Sequence, residues 1–331
     1  MVATLDRPSA LKSDVKTAVF KTNRVNLTVL GTGAWGTALG ALASINQHPL
    51  KLWSRRGELT LADAVAEADV ILSVISMKGV ADLATQIAAI GIPENAIIAT
   101  ATKGLDPKTT RTPSQIYQEL FPNNPVVVLS GPNLSKEIDN RLPAATVAAS
   151  ASEAAAEAVQ TIFASDIFRV YTSPDPLGAE LGGTLKNVIA IAVGVCDGLN
   201  LGTNAKAALM TRAMPEVIRI GTHLGGQAET FFGLSGLGDM LATCTSPLSR
   251  NYRVGFGLAQ GKSLDQILAG LGSTAEGVNT TNVLLEIANR EEIPVPISRQ
   301  VYRLLHGKIT PLEAVEALME RDLKPEACDL F

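Results

Sequence analysis

The sequence predicts a doubly wound parallel α/β sheet followed by an all-helical region. Three observations carry this reading. Short runs rich in Val, Ile and Ala recur from Val25 to Tyr171, and helix-length polar or amphipathic pieces separate them. Beyond Ser173-Pro174-Asp175-Pro176, long Ala/Leu/Ile patterns at helical spacing take over. Near-continuous apolar strands alternating with helices such as Ser152 to Phe163 indicate a parallel sheet covered on both faces. Strands are expected at Val25 to Leu30, Pro49 to Trp53, Val70 to Val74, Ala96 to Thr100, Pro125 to Leu129, Ala145 to Ala149 and Phe168 to Tyr171. In the second half, helices are expected at Leu177 to Val195, Thr203 to Leu224, Leu264 to Leu271, Thr280 to Asn289 and Ile297 to Leu305. Ser173 and Asp175 suit helix caps, and Pro176 suits a first helical turn.

Composition excludes several classes. A chain of 331 residues with 46% hydrophobic side chains is long enough for two domains. Cys196, Cys244 and Cys328 form no CxxC pair, and His48, His223 and His306 show no HExxH spacing, so no metal site is expected. Widely spaced, odd-numbered cysteines without a secretory signal read as free thiols in a reducing compartment. The formal net charge of −4 argues against a protein built to coat nucleic acid. The longest apolar run, Val188 to Cys196, is less than half a membrane span, so stable membrane insertion is not expected. Residues 1–24 have no continuous apolar stretch and read as a flexible leader.

Directly after the first strand comes Gly31-Thr32-Gly33-Ala34-Trp35-Gly36, followed by a small-residue helix. Here Gly31 permits a tight turn, Gly33 lets the backbone approach a pyrophosphate, and Gly36 lets the helix pack on the strand. The helix N-terminus offers free N–H groups to the anion. This context makes residues 25–172 a dinucleotide-binding, Rossmann-type domain and residues 173–331 a helical substrate or catalytic domain. Trp35 has two readings, packing at a domain interface or contact with the cofactor. The second strand ends at Trp53-Ser54-Arg55-Arg56, where an NAD-preferring fold places Asp or Glu. Two guanidiniums suit a 2′-phosphate, so NADPH is favoured, with NADH as the alternative.

Four further constellations remain. Thr100 to Leu105, with Lys103, follows a strand at the sheet edge where open α/β folds place ligands. Leu129-Ser130-Gly131-Pro132-Asn133 follows another strand. Glu180 to Ala190 sets Lys186 and Asn187 inside an otherwise apolar helix, and a desolvated lysine there has a lowered pKa and exchanges protons. Gly233 to Asp239 reads as a glycine-rich loop presenting Asp239, and Ser249, Arg250 and Asn251 supply the donors that suit a phosphate monoester.

Taken together, the loop from Gly31, the ATKG at 101–104, the SGPN at 130–133, the GGTLKN at 182–187, the GLGD at 236–239 and the SRN at 249–251 resemble NAD(P)H-dependent glycerol-3-phosphate dehydrogenases of the bacterial type, in order and across both halves. The resemblance implies reduction of dihydroxyacetone phosphate to sn-glycerol 3-phosphate for phospholipid synthesis, in the cytoplasm, by a homodimer. It implies Lys186 as the catalytic lysine. It places Lys103, Gly131, Asn133, Asp239, Ser249, Arg250 and Asn251 on a small phosphorylated substrate. It places Gly31, Gly33, Ala34, Trp35, Gly36, Arg55, Arg56, Lys103, Ser135, Arg250 and Glu276 on the cofactor.

Three features depart from that family. The interval from Arg56 to Val70 is short, with room for one helix at about Leu61 to Glu67. Asn133 and Ser135 stand where a small hydroxyl residue and Ala are common. Ser76-Met77-Lys78 replaces a proline-containing stretch. A 3-hydroxyacid dehydrogenase of related build would prefer Asn one helical turn after the lysine, but position 190 is Ala. A non-catalytic nucleotide sensor would keep the glycine loop but give no reason for Lys186.

Overall fold

The computed structural model describes residues 24–272, 274–323 and 325–326. Of the leader expected at residues 1–24, residues 1–23 lie outside the described residues, as does Cys328. Seven strands form one sheet in the order β2-β1-β3-β4-β5-β6-β7. They are β1 (Leu27–Leu30), β2 (Leu50–Trp53), β3 (Val70–Ser73), β4 (Ile97–Thr100), β5 (Val126–Ser130), β6 (Ala144–Ala149) and β7 (Phe168–Ser173). Every expected strand is present within a few residues.

The sheet departs from the all-parallel expectation at one seam. Strand β6 pairs antiparallel with β5, with Ser130 opposite Val147, and β7 then runs parallel to β6. The connector between β5 and β6 holds only a five-residue helix, α5 (Ser135–Asp139). A helix that short, about 7.5 Å at 1.5 Å per residue, does not carry the chain back along the sheet as a parallel crossover requires. The chain turns at the carboxyl edge of β5 instead, which leaves Gly131, Asn133 and the start of β6 together there.

Both faces of the sheet are covered. Leu27, Val29, Val70 and Leu72 share a core with α1 (Ala34–Ile45) and α6 (Glu153–Phe163). Leu30, Ile71 and Ile98 share another with α2 (Leu61–Val65), α3 (Val80–Ile90) and α4 (Pro113–Leu120). This period-two division is what a strand buried on both faces produces. On the second face, Val128, Val147 and Ala149 meet Ala179 of the long helix α7 (Pro176–Gly198), which is thereby seated over β5 and β6.

The rest of the chain is helical: α8 (Gly202–His223), α9 (Asp239–Cys244), α10 (Arg250–Ala259), α11 (Leu264–Leu271), α12 (Glu276–Arg290), α13 (Pro296–Leu305) and α14 (Pro311–Met319). Helix α7 is their common partner, touching α8, α9, α10, α12 and α13. By length and composition it is apolar enough to cross a membrane, but 94% of its most apolar window is buried inside the protein. It is a core helix, longer than the Leu177 to Val195 expected because Asp175 caps it at Gly178 N (2.9 Å) and Pro176 opens it.

Helices α7 and α10 touch backbone to backbone. A Cβ on Gly255 would stand 1.9 Å from the carbonyl oxygen of Ile191. No rotamer relieves that clash, so α10 would have to move away from α7. Gly255→Ala is expected to destabilise the protein by about 1–3 kcal/mol, the usual range for overpacking. Thermal denaturation checks this; an unchanged Tm would contradict it.

Candidate active site

Three ionisable side chains from distant parts of the chain meet in one cluster. Lys103 follows β4, Lys186 lies in the first half of α7, and Asp239 opens α9. Lys186 Nζ donates to Asp239 Oδ1 at 2.6 Å, and Lys103 Nζ donates to Asp239 Oδ2 at 2.5 Å. Lys103 also donates to the Gly131 carbonyl at 3.3 Å. Lys186 donates in addition to Thr243 Oγ1, which in turn reaches Asp239 Oδ1. Lys186 and Asp239 are buried, and Lys103 is partly exposed.

Burial lowers the Lys186 pKa to about 8, with the Lys103 charge pushing the same way and the Asp239 carboxylate opposing both. The lowered pKa expected of a lysine in an apolar helix is therefore present. An ammonium has three protons to donate. Lys186 spends two on Asp239 and Thr243, and Lys103 spends two on Asp239 and Gly131. One N–H on each is left for a ligand.

The segment before Asp239 is not the loop the sequence suggested. Leu234–Gly238 is a single π-helical turn leading into α9, a form often found at functional sites. Gly236 packs against Phe231, where a Cβ would stand 2.1 Å from the carbonyl oxygen. Close packing rather than conformational freedom is what requires glycine at 236. Asp239 does not act as a helix cap: its carboxylate is occupied by the two lysines.

The second cluster is built on α10. Ser249 is its N-cap, its Oγ accepting from Tyr252 N at 3.2 Å, which leaves the hydroxyl proton free to donate. Arg250 is the first residue of α10 and is exposed. Asn251 Nδ2 donates to Asn187 Oδ1 at 2.8 Å, and its Oδ1 accepts from Gly277 N at 3.0 Å. Asn187 follows Lys186 directly, so this pair ties the Ser-Arg-Asn turn to the lysine helix. Glu276 begins α12; burial raises its pKa, opposed by the N–H of Met77 and the Arg250 charge. Met77 sits in a buried turn after β3. That turn is the segment where the chain lacks the proline-containing stretch.

At the other end, Asn133 Nδ2 donates to Thr146 Oγ1 at 2.8 Å across the β5–β6 seam, and its Oδ1 is buried without a partner. Ser135 is the first residue of α5, which packs against α1.

The turn after β1 has the shape a dinucleotide requires. Gly31 has φ +118°, and a Cβ there would stand 2.4 Å from the Val74 carbonyl oxygen. A Cβ on Gly36 would stand 2.0 Å from Gly31 O, whereas Gly33 faces open space. Helix α1 then starts at Ala34 with no side-chain cap, so its first N–H groups are unclaimed by a cap residue. The residues present therefore fit a pyrophosphate over Gly33 and Ala34. Trp35 is half-buried against the core of α1 and the sheet. Arg55 and Arg56 follow β2 and are exposed.

Sequence reasoning missed Thr243. Its spacing of four from Asp239 on a helix is the one signal that could have found it.

Comparison with known proteins agrees with this geometry. The family described as NAD-dependent glycerol-3-phosphate dehydrogenase N-terminus matches residues 26–61 and 57–156, and its C-terminus counterpart matches residues 175–316. The glycerol-3-phosphate dehydrogenase [NAD(P)+] of Acaryochloris marina is 70% identical over 305 residues, covering 92% of this chain and 98% of that one. The enzyme of the same name from Synechocystis is 65% identical over 300 residues, covering 91% and 95%. The crystal structure of glycerol-3-phosphate dehydrogenase from Coxiella burnetii superposes with a TM-score of 0.86 at 32% identity, covering 90% of this chain and 99% of that one. With both halves matched in order, and relatives of one name aligned along nearly their full length, the chain belongs to the NAD-dependent glycerol-3-phosphate dehydrogenase family.

Proposed function

We propose that the protein reduces dihydroxyacetone phosphate to sn-glycerol 3-phosphate with NADPH, accepting NADH as the alternative, and so feeds glycerophospholipid synthesis. The observation that carries this reading is the Lys186–Asp239–Lys103 cluster, joined through Asn187 to the Ser249-Arg250-Asn251 turn and accompanied by a pyrophosphate-shaped turn after β1. The nicotinamide cofactor, when bound, supplies the hydride for the carbonyl carbon. The protein's part is to hold the ketone and deliver a proton to its oxygen.

Lys186 is the acid in this scheme. With a pKa of about 8 it is protonated at neutral pH yet gives up its proton more readily than an exposed lysine. Asp239 and Thr243 fix two of its N–H groups, so the third has one direction left. Lys103 stabilises the developing oxyanion or an adjacent hydroxyl. Ser249, Arg250 and Asn251 hold the phosphate, whose binding energy is used to fix the carbonyl beside Lys186. Asn133 and the Gly131 backbone line the substrate. Ser135, Arg55, Arg56, Arg250 and Glu276 line the cofactor with the residues from Gly31 to Gly36, and the two guanidiniums after β2 favour a 2′-phosphate. In this reading residues 25–172 form the cofactor domain and residues 173–331 the catalytic domain of a cytoplasmic homodimer. Free Cys196 and Cys244 are in keeping with a reducing compartment.

Lys186→Ala is expected to lose roughly 10²- to 10⁴-fold in kcat, the usual share of a general acid, while keeping its affinity for NADPH. Stopped-flow turnover with a fluorescence titration tests both halves, and near-normal turnover would sink the assignment.

The pH dependence follows from the same group. Ketone reduction needs the ammonium, so kcat/KM for dihydroxyacetone phosphate should fall as pH rises through about 8. Oxidation of glycerol 3-phosphate needs the free amine, so its kcat/KM should rise through the same region. Profiles that moved together in both directions would contradict the role of Lys186.

A further inference from the structure

Two buried α7 residues outside the lysine cluster hold the segment that carries Lys103. Thr184 Oγ1 accepts from Gly104 N at 3.0 Å, one residue beyond Lys103. Glu180 accepts from Ser114 N at 3.0 and 3.2 Å and from Ser114 Oγ, near the start of α4. Thr184 is 0% exposed and Glu180 1% exposed. The connection from β4 to α4 is thus fastened near both ends to the helix that bears Lys186. Between them, Asn279 Nδ2 donates to Leu105 O at 2.8 Å.

The helical wheel shows how this arrangement works. At about 100° per residue, Glu180 and Thr184 share one side of α7, Lys186 lies on another, and Gly183 lies between them. Lys103 therefore crosses α7 over Gly183 to reach Asp239. A Cβ on Gly183 would stand 3.3 Å from Lys103 Cε and 2.6 Å from Ser130 Oγ. The missing side chain at 183 is the saddle over which Lys103 passes.

We propose that Thr184 and Glu180 are positioning residues for the reaction: they fix the Lys103 segment on α7 so that Lys103 and Lys186 face each other across Asp239. This rests on the reading of Lys186 as the acid. Neither residue touches the three reacting-site charges directly, and both act through the backbone that carries Lys103. The groups facing Lys186 are Asp239, Thr243 and Cys244 from α9 and Lys103 from the segment after β4. Lys103 is the only one of these whose position depends on Thr184 and Glu180.

The test compares Thr184→Val, Thr184→Ser, Glu180→Ala and Glu180→Gln with Lys103→Met and Lys186→Ala, reading kcat/KM for ketone reduction against pH, with Tm alongside. Thr184→Val and Glu180→Ala should each lose roughly 10- to 100-fold, the scale of a small misplacement. Both should also move the alkaline limb of the profile upward, as Lys103→Met does, because the Lys103 charge that lowers the Lys186 pKa has moved away. Thr184→Ser keeps an acceptor for Gly104 N and should keep the wild-type limb. Glu180→Gln keeps an acceptor for Ser114 N and should do likewise. A lower Tm with an unmoved limb would mean a merely structural role and overturn the proposal, as would wild-type kinetics in Thr184→Val and Glu180→Ala. If Thr184→Val does not fold, the Glu180 pair decides by the same readout. Turnover persisting in Lys186→Ala would instead overturn the reading on which the proposal rests.

Discussion

One carboxylate organises the site. Asp239 is buried and accepts from two ammonium groups, one on each oxygen. An isolated buried carboxylate is costly to desolvate, and removing one partner of a buried pair typically costs about 3–5 kcal/mol. The three side chains are therefore bound to one another's positions. That constraint runs outward through the fold. Lys186 requires α7 to lie over β5 and β6, Lys103 requires the segment after β4 to be fastened to α7, and Asp239 requires the π-helical turn to deliver α9 to that spot. Two ammoniums against one carboxylate leave a local excess of positive charge, which suits a phosphorylated ligand better than a neutral one.

Much of this was legible from the residues. The inner strands follow from apolar runs bounded by turn residues, because a strand buried on both faces has no other composition open to it. Lys186 was legible for the same reason in reverse, since a lysine flanked by Val, Ile and Ala has to be satisfied inside. The direction of β6 was not legible. An apolar run such as Ala144–Ala149 carries no sign of which way it points, and only the shortness of the connector with its five-residue helix bears on it. The π-helical turn was also hidden: glycines placed for close packing against Phe231 look in sequence like glycines placed for a loop. Thr243 carries no motif of its own, and Thr184 and Glu180 sit close to Lys186 in sequence with nothing to mark a role of theirs; the importance of all three exists only once α7, α9 and the β4–α4 connection are in contact.

The antiparallel seam has a structural consequence at the carboxyl edge of β5. Had the chain crossed back to make β6 parallel, the start of β6 would lie at the far edge of the sheet. Instead Thr146 stands beside Gly131 and accepts from Asn133. The carboxyl edge of β5 is thus walled by a residue from the strand that breaks the parallel pattern. Asn133, longer than the small hydroxyl residue common at this position, spends its amide on that wall and leaves Oδ1 buried without a protein partner. A buried acceptor with no partner is costly.

The overall charge of −4 and the chemistry of the cleft fit together once the positions are known. Arg55 and Arg56 stand exposed after β2, Arg250 stands exposed at the start of α10, and Lys103 and Lys186 meet at Asp239. Against these, Asp239 is fully engaged, and burial drives Glu276 toward its neutral form. The helix that follows, α2, is short, and the two guanidiniums before it are exposed. A mildly acidic chain can still carry a cationic site, because the charge of a site depends on where its cations sit rather than on how many the chain carries.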